Sequence, residues 1–405
     1  MPRFEPFAGL RYASTADLDL VTAPPYDVID EAERAMLAAR SPYNAVHVEL
    51  PVDEDGEDRY HAAARRFTEW RRAGIVQDDP EPCFYLYRMG FHDEYGRPRQ
   101  TNGVLGALEL SVPGEGDVLP HEQTTPRAKS DRLALLEATG ANLSPIWCLS
   151  LAQGLGALVE PAGPPVARCT DDDGVHHRLW RVTAPARLAA LSQLVDSAPV
   201  VIADGHHRYE TALAHRDRWR AGNAGQTGPH DLTMALVVEL AEDELSVGPI
   251  HRLLRRLPPQ LDVVAALSPW FQVEPMPLGD EPWPQVMDRA GALGLALPDA
   301  SAWLLHPRPG AFPEDLPDLD TSRLDVARAG LPPHDVVYQH GVRPVLNQVA
   351  SDERSAAVLL RPATVAHIAA AAHRRERMPP KTTFFSPKPR TGMVFRSMDP
   401  VSPPL

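Results

Sequence analysis

The run Pro199-Val200-Val201-Ile202-Ala203, followed at once by Asp204-Gly205 and then His206-His207-Arg208, constrains this chain more than any other feature. A short β-branched run bounded by Pro and by Asp-Gly is the pattern of a buried strand, and the breaker-free stretch from about His207 to Arg220 reads as a helix. Around it lie a strand near Arg178–Thr183, a helix over Pro185–Val195 and a strand at Thr233–Leu240. Strand, helix, strand, helix, strand in succession predicts an α/β lobe whose sheet need not be all parallel.

At 405 residues the chain exceeds what a single core supports, so two or three lobes are expected. The N-terminal lobe, 1–153, has α+β character. Its helix over Asp58–Arg72 places Tyr60, Ala63, Phe67 and Trp70 on one face. Cys83–Tyr87 and Val104–Leu108 flank the polar turn Asp93-Glu94-Tyr95-Gly96 as a hairpin, and Ser130 caps a helix over Asp131–Thr139 that Gly140 stops. The Gly, Ala and Pro of Gly154–Pro165 mark a connection to an α/β lobe at 166–260. A C-terminal lobe and closing segment, 261–405, carries helices at Leu261–Leu267 and Thr364–Arg375 and strands at Trp303–Leu305 and Ala356–Leu360. The fold class expected is therefore α/β with a mixed sheet. The 43 prolines, about twice the ordinary share, stiffen the connections.

A net charge of -14 repels a phosphate backbone, so nucleic acid is not an expected partner. Cys83, Cys148 and Cys169 are widely spaced and show no metal-ligand spacing, which fits a reducing cytoplasm. The first residues lack the apolar core of a signal peptide, and no run of roughly 18 apolar residues occurs, so no membrane association is expected.

Four boxes carry residues able to do chemistry. In the first, a strand ending in Asp-Gly and opening a helix suits an anion, because the first helical N–H groups are unpaired and the dipole favours negative charge. Gly205 admits close backbone approach, Arg208 can grip a phosphate bidentately, His206 or His207 can move a proton, and Thr211 lies just behind. The same residues also read as a helix cap, Asp204, with histidines satisfying carbonyls. Metal binding by the histidine pair is a further reading, although adjacent helical residues point about 100° apart. In the second box, His121-Glu122 followed by Arg127, Lys129 and Arg132, Glu122 is a candidate general base or part of an ordinary polar loop. The third, Ser41 to Leu50 with Asn44, His47 and Glu49, alternates like a half-buried strand. The fourth, Met378 to Lys388, sets Lys381 and Thr382 beside a rigid Pro-Pro turn, fit to close over a phosphate or to protect a sheet edge.

Ala23-Pro24-Pro25-Tyr26-Asp27-Val28-Ile29, Ser41-Pro42-Tyr43-Asn44, Pro120-His121-Glu122, Ala203 to Ala212 and Met378 to Lys388 together resemble a bacterial and archaeal family of unknown function, numbered ten-fifteen, over nearly the whole chain. The Asp-Gly-His-His-Arg turn is also similar to the Gly-x-x-Arg phosphate-binding turn of the ParB and sulfiredoxin-like superfamily, which binds nucleotides and includes kinases of free serine. That resemblance implies a nucleotide-binding core with elaborating lobes. Gly205 and Arg208 would hold nucleotide phosphate with Thr211, Lys381 and Thr382, while Asp204, His206, His207 and Glu122 would serve catalysis. Tyr26, Asp27, Asn44, His47, Glu49 and His121 would bind substrate, and Glu122, Glu49 and Asp27 are the candidate bases. The activity implied is a phosphotransferase using ATP or ADP with Mg²⁺ on a hydroxyl such as that of free L-serine, placing the chain in serine metabolism. Two alternatives stay open: a ParB-like nucleotide-binding regulatory module without turnover, and a metal-dependent hydrolase. The metal ligands and the oligomeric state, a homodimer included, stay open too.

Overall fold

A computed structural model describes residues 1–53, 56–93, 96–121, 129–277 and 281–398. The chain forms two compact units, Met1–Ser246 with Pro387–Leu405, and Val247–Ser386.

The first unit is built on a nine-stranded mixed sheet. Its path runs Val118–Pro120, Val200–Asp204, Ile146–Ser150, Leu232–Glu239, Pro98–Glu109, Phe84–His92, His176–Val182 and Ala167–Thr170, with Phe4–Glu5 added to Pro98–Glu109. Val200–Asp204, here the site strand, is parallel to Val118–Pro120 and antiparallel to Ile146–Ser150. The expected hairpin is present, with Tyr85 opposite Leu105. Strands from both sides of Gly154–Pro165 share this sheet, since Ile146–Ser150 pairs Leu232–Glu239 in parallel. Backbone pairing therefore makes 1–153 and 166–246 one unit, and the loop between them carries a helical turn, Leu155–Leu158, pinned by the Glu239 carboxylate accepting from the Gly154 and Gly156 amides.

On one face of the sheet the helix His206–Gly222, here the site helix, buries Tyr209, Ala212 and Leu213 against Phe84, Ile146 and Ile202. Tyr209 also donates its hydroxyl to the Ser111 carbonyl at 2.8 Å, which fixes the helix rotation. A second core joins Leu10, Phe67, Trp70, Leu135 and Phe395, and contains the expected Arg59–Arg72 helix with Asp58 as its cap. The helix Lys129–Thr139 begins earlier than expected, so Ser130 lies within it rather than capping it. Gly140 ends it as expected, in the left-handed conformation that glycine tolerates. The 41–50 box is not a strand. The Asn44 side chain accepts from the Val46 amide at 2.9 Å and turns the chain into the short helix Val46–Glu49.

The second unit holds a seven-stranded antiparallel sheet centred on Val247–Arg255. It includes the expected Ala302–Pro307 and Ala356–Leu359 strands, and the expected Val263–Leu267 and Val365–His373 helices. Beyond it the chain re-enters the first unit. Thr391 exchanges backbone hydrogen bonds with Ala23, and Arg396–Ser397 pairs Ala141–Asn142. Among the described residues, no helix is long and apolar enough to cross a membrane.

Candidate functional site

The site strand delivers Asp204 to the N-terminus of the site helix through a register shift between Ile202 and Asp204, a bulge of the kind that re-aims a side chain. Gly205 follows at φ +88, a conformation L side chains rarely adopt. A Cβ there would lie 3.1 Å from the Arg208 guanidinium and 3.2 Å from the Ile146 Cα, so the position is sterically tight as well. Gly205 brings no capping side chain, which leaves a 17-residue helix with its positive dipole end uncapped by its own leader.

Asp204 is held between two cations. Lys388 Nζ donates to Oδ1 at 2.6 Å and Arg208 Nη2 donates to Oδ2 at 2.8 Å. Burial pushes this carboxyl up, yet Lys388 and Arg208 outweigh it and hold it below the usual aspartate range. Arg208 also donates to the Pro145 carbonyl, and its Nη2 lies 3.9 Å from Asp27. Burial works against its charge, but Asp27 and Asp204 prevail and raise its pKa further.

Tyr26 sits between two guanidinium groups, Arg132 at 4.3 Å and Arg208 at 5.9 Å from its ring centre. Burial drives its phenol up to about 12 against the pull of Arg208, so it stays a protonated donor at neutral pH. Arg132 donates to the Glu49 carbonyl at 2.7 Å, and the buried Glu49 carboxylate accepts from Ser144 at 2.8 Å. A cavity of about 50 Å³ lies among Glu49, Arg132, Asn142, Ser144, Arg208 and Thr211. Among the described residues, Arg208 Nε and Thr211 Oγ1 are buried there without a hydrogen-bond partner, as is His207 Nδ1 nearby in sequence. His121 donates Nδ1–H to the Ile202 carbonyl at 2.9 Å, and its ring lies 5.3 Å from that of His206.

Of the residues expected at the site, the structure brings together Tyr26, Asp27, Glu49, His121, Asp204, Gly205, His206, Arg208 and Thr211, with His207 on the same first turn. Asn44 and His47 serve the local fold. Asn44 Nδ2 donates to the Leu20 and Thr22 carbonyls, and His47 Nε2 donates to those of Ala38 and Ser41. Glu122 lies outside the described residues. Lys381 and Thr382 belong to the second unit, where Thr382 closes a turn onto the Pro379 carbonyl at 2.7 Å. Sequence reasoning passed over Ser144 and gave Lys388 and Arg132 no site role of their own. Lys388 ends the same C-terminal box as Lys381, and Arg132 trails the His-Glu box, so both stood within recognised motifs. Among the described residues, no group of three or more His, Cys, Asp or Glu side chains could hold a metal ion.

No curated protein matches this sequence. Among solved structures, the chain is similar to SbnI with C-terminal truncation from Staphylococcus aureus, at 13% identity and TM-score 0.38, covering 72% of this chain and 86% of that one. It is likewise similar to a free serine kinase in complex with AMP, at 13% identity and TM-score 0.38, covering 70% and 88%. Likeness this distant assigns no chemistry. The family model described as protein of unknown function (DUF1015) matches residues 4–327, most of the chain and the whole of the turn at 204–208, and the chain belongs to that family.

Proposed function

We propose that this protein is a small-molecule phosphotransferase that passes a phosphoryl group from ATP or ADP to a hydroxyl such as that of free L-serine. The observation that carries the reading is the convergence of Arg208, Lys388 and Arg132 with Asp27, Asp204 and Glu49 at the N-terminus of the site helix, where Gly205 brings no capping side chain. Phosphoryl transfer asks a protein mainly for position and for charge to meet the equatorial oxygens, and this arrangement offers both. Arg208 Nε and Thr211 Oγ1 are donors available to a phosphate oxygen, and the first-turn backbone of the site helix adds its dipole. Asp204 holds Lys388 and Arg208 in place, a positioning role rather than a contact with the reacting atoms.

Between the described candidate bases, Asp27 is favoured over Glu49. Its side chain is 35% exposed beside Arg208, whereas that of Glu49 is 4% exposed and engaged by Ser144. Asp27 would take the hydroxyl proton as the oxygen attacks. Mg²⁺ supplies charge neutralisation in such reactions, but both Asp204 oxygens are occupied by cations and, among the described residues, no cluster of His, Cys, Asp or Glu fits an ion.

The test is phosphorus NMR of the purified chain with ATP or ADP, Mg²⁺ and a panel of hydroxylated amino acids. A phosphorylated acceptor should appear and should be lost in D27N. R208A should weaken nucleotide binding at least about tenfold, because a charged hydrogen bond to phosphate contributes roughly 1.5–3 kcal/mol. H206A and H207A should differ in turnover, since neighbouring helical residues point about 100° apart. Tight nucleotide binding without transfer would replace the reading by a regulatory module. Turnover that follows a transition metal would replace it by a hydrolase.

A further inference from the structure

Arg396 lies in the first unit, eight residues beyond Lys388, and is 3% exposed. Its Nη1 donates to Asn142 Oδ1 and to the Leu232 carbonyl, each at 3.0 Å, and its Nη2 donates to the Pro229 carbonyl at 2.8 Å. All three acceptors are neutral. A guanidinium carries five N–H donors, so these three bonds leave two for another partner.

Arg396 lines a cleft of about 430 Å³. Three carboxylates line it too, and each already has its own cation. Glu5 pairs with Arg3 at 3.2 Å, Asp78 with Arg71 at 3.2 Å, and Asp231 with Arg220 at 2.6 Å while also accepting from the Gly228 amide. Among the described residues no carboxylate lies within ion-pairing distance of Arg396, which makes it the cation left over. Burial pushes its pKa down to about 10, with Glu5 as the one opposing charge.

A buried charge without a counter-charge is costly, and a neutral side chain could tie the carbonyls at 229 and 232 without that cost. Tying these two carbonyls and the Asn142 side chain together explains the three bonds. It does not explain why a full positive charge is kept beside an open cleft whose acids are all engaged. We propose that this cleft binds a small molecule bearing a carboxylate or phosphate, with Arg396 as its counter-cation. The shared chemistry is a planar or tetrahedral oxyanion able to accept two N–H bonds from one guanidinium.

The test uses the full chain labelled with ¹⁵N-arginine. It follows the Arg396 Nε–H signal, identified by its loss in R396K, during titration with inorganic phosphate, with malonate, and with sodium chloride at matched ionic strength. A saturable shift with phosphate or malonate is expected, and the arm that responds names the oxyanion. Thr227 is an exposed residue lining the same cleft, and T227W should fill the space without touching the three Arg396 bonds. Binding should weaken at least tenfold in T227W. Should R396K fail to fold, the arginine signal whose response T227W suppresses identifies the site. A shift reproduced by chloride, or one that T227W leaves unchanged, overturns the proposal.

Discussion

Replacing Asp204 by Asn removes a charge from the centre of the site while keeping its shape. The carboxylate accepts from Lys388 at 2.6 Å and from Arg208 at 2.8 Å, and the three side chains are 20%, 14% and 10% exposed. In D204N the two cations face each other with no carboxylate between them. Removing one member of a buried ion pair costs about 3–5 kcal/mol. Because a fifth of the Asp204 side chain still meets solvent, the lower end, about 3 kcal/mol, is expected. At ~2–4 °C per kcal/mol for a large domain, the melting temperature should fall by roughly 6–12 °C.

K388M leaves Arg208 as a partner and should cost less. The double variant should be milder than the sum of the two by about 1.5–3 kcal/mol, the worth of a charged hydrogen bond. Urea unfolding of the four proteins at neutral pH, followed by circular dichroism, measures that coupling. A pH series gives an independent reading. Asp204 has a folded-state pKa below its unfolded value, so its contribution is complete above about pH 4 and is lost as pH falls through the folded value. The advantage of wild type over D204N should therefore shrink in acid. Additivity within about 0.5 kcal/mol, together with an advantage that does not change with pH, would refute the ion-pair account.

Two further outcomes follow from local geometry. G205A should destabilise the first unit by at least about 1–3 kcal/mol in urea unfolding, since Gly205 sits at φ +88 with Arg208 and Ile146 atoms 3.1–3.2 Å from the added carbon; a loss under 0.5 kcal/mol would mean the turn relaxes freely. In the second unit, His251 is buried, accepts from the Leu360 amide through Nδ1, and is pushed down to about 4 by burial, then by Arg252 and His340. A histidine held neutral when folded contributes stability above its ordinary pKa that is lost as pH falls, so between pH 7 and 5 about 2 kcal/mol should disappear in wild type and not in H251N, as read from paired denaturation curves.

The parts of the fold legible in the sequence are those where one local signal suffices. Pro199 to Ala203 reads as a strand because five apolar or β-branched residues end in Asp-Gly, and the helix found at Arg59–Arg72 reads from the apolar face of Tyr60, Ala63, Phe67 and Trp70. Val247–Arg255 did not read as a strand, although it centres the second sheet, because Gly248 and Pro249 break its pattern and His251 and Arg252 look solvent-facing. Both are buried, at 2% exposure each, and only their tertiary partners make that tolerable. The 41–50 box misled for the opposite reason. Its alternation matches a strand, but one side-chain bond from Asn44 to the Val46 amide sends the chain into a helix, and such local competition is invisible to periodicity.

The sequence by itself determined the Asp-Gly-His-His-Arg turn, since the strand, the left-handed glycine and the helix start are all set within ten residues. It also determined the kinds of residue available to the site. Only the tertiary structure decided which of them meet. Lys388 reaches Asp204 across 184 positions, Arg132 and Ser144 close on Glu49, and Tyr26 is clasped between arginines from two helices. Charge pairing over such separations depends on how sheet, helices and the returning C-terminal segment pack, and no pattern of a few residues encodes it. The same holds for Arg396, an ordinary arginine in the sequence, which folding buries beside a cleft whose acids are already engaged.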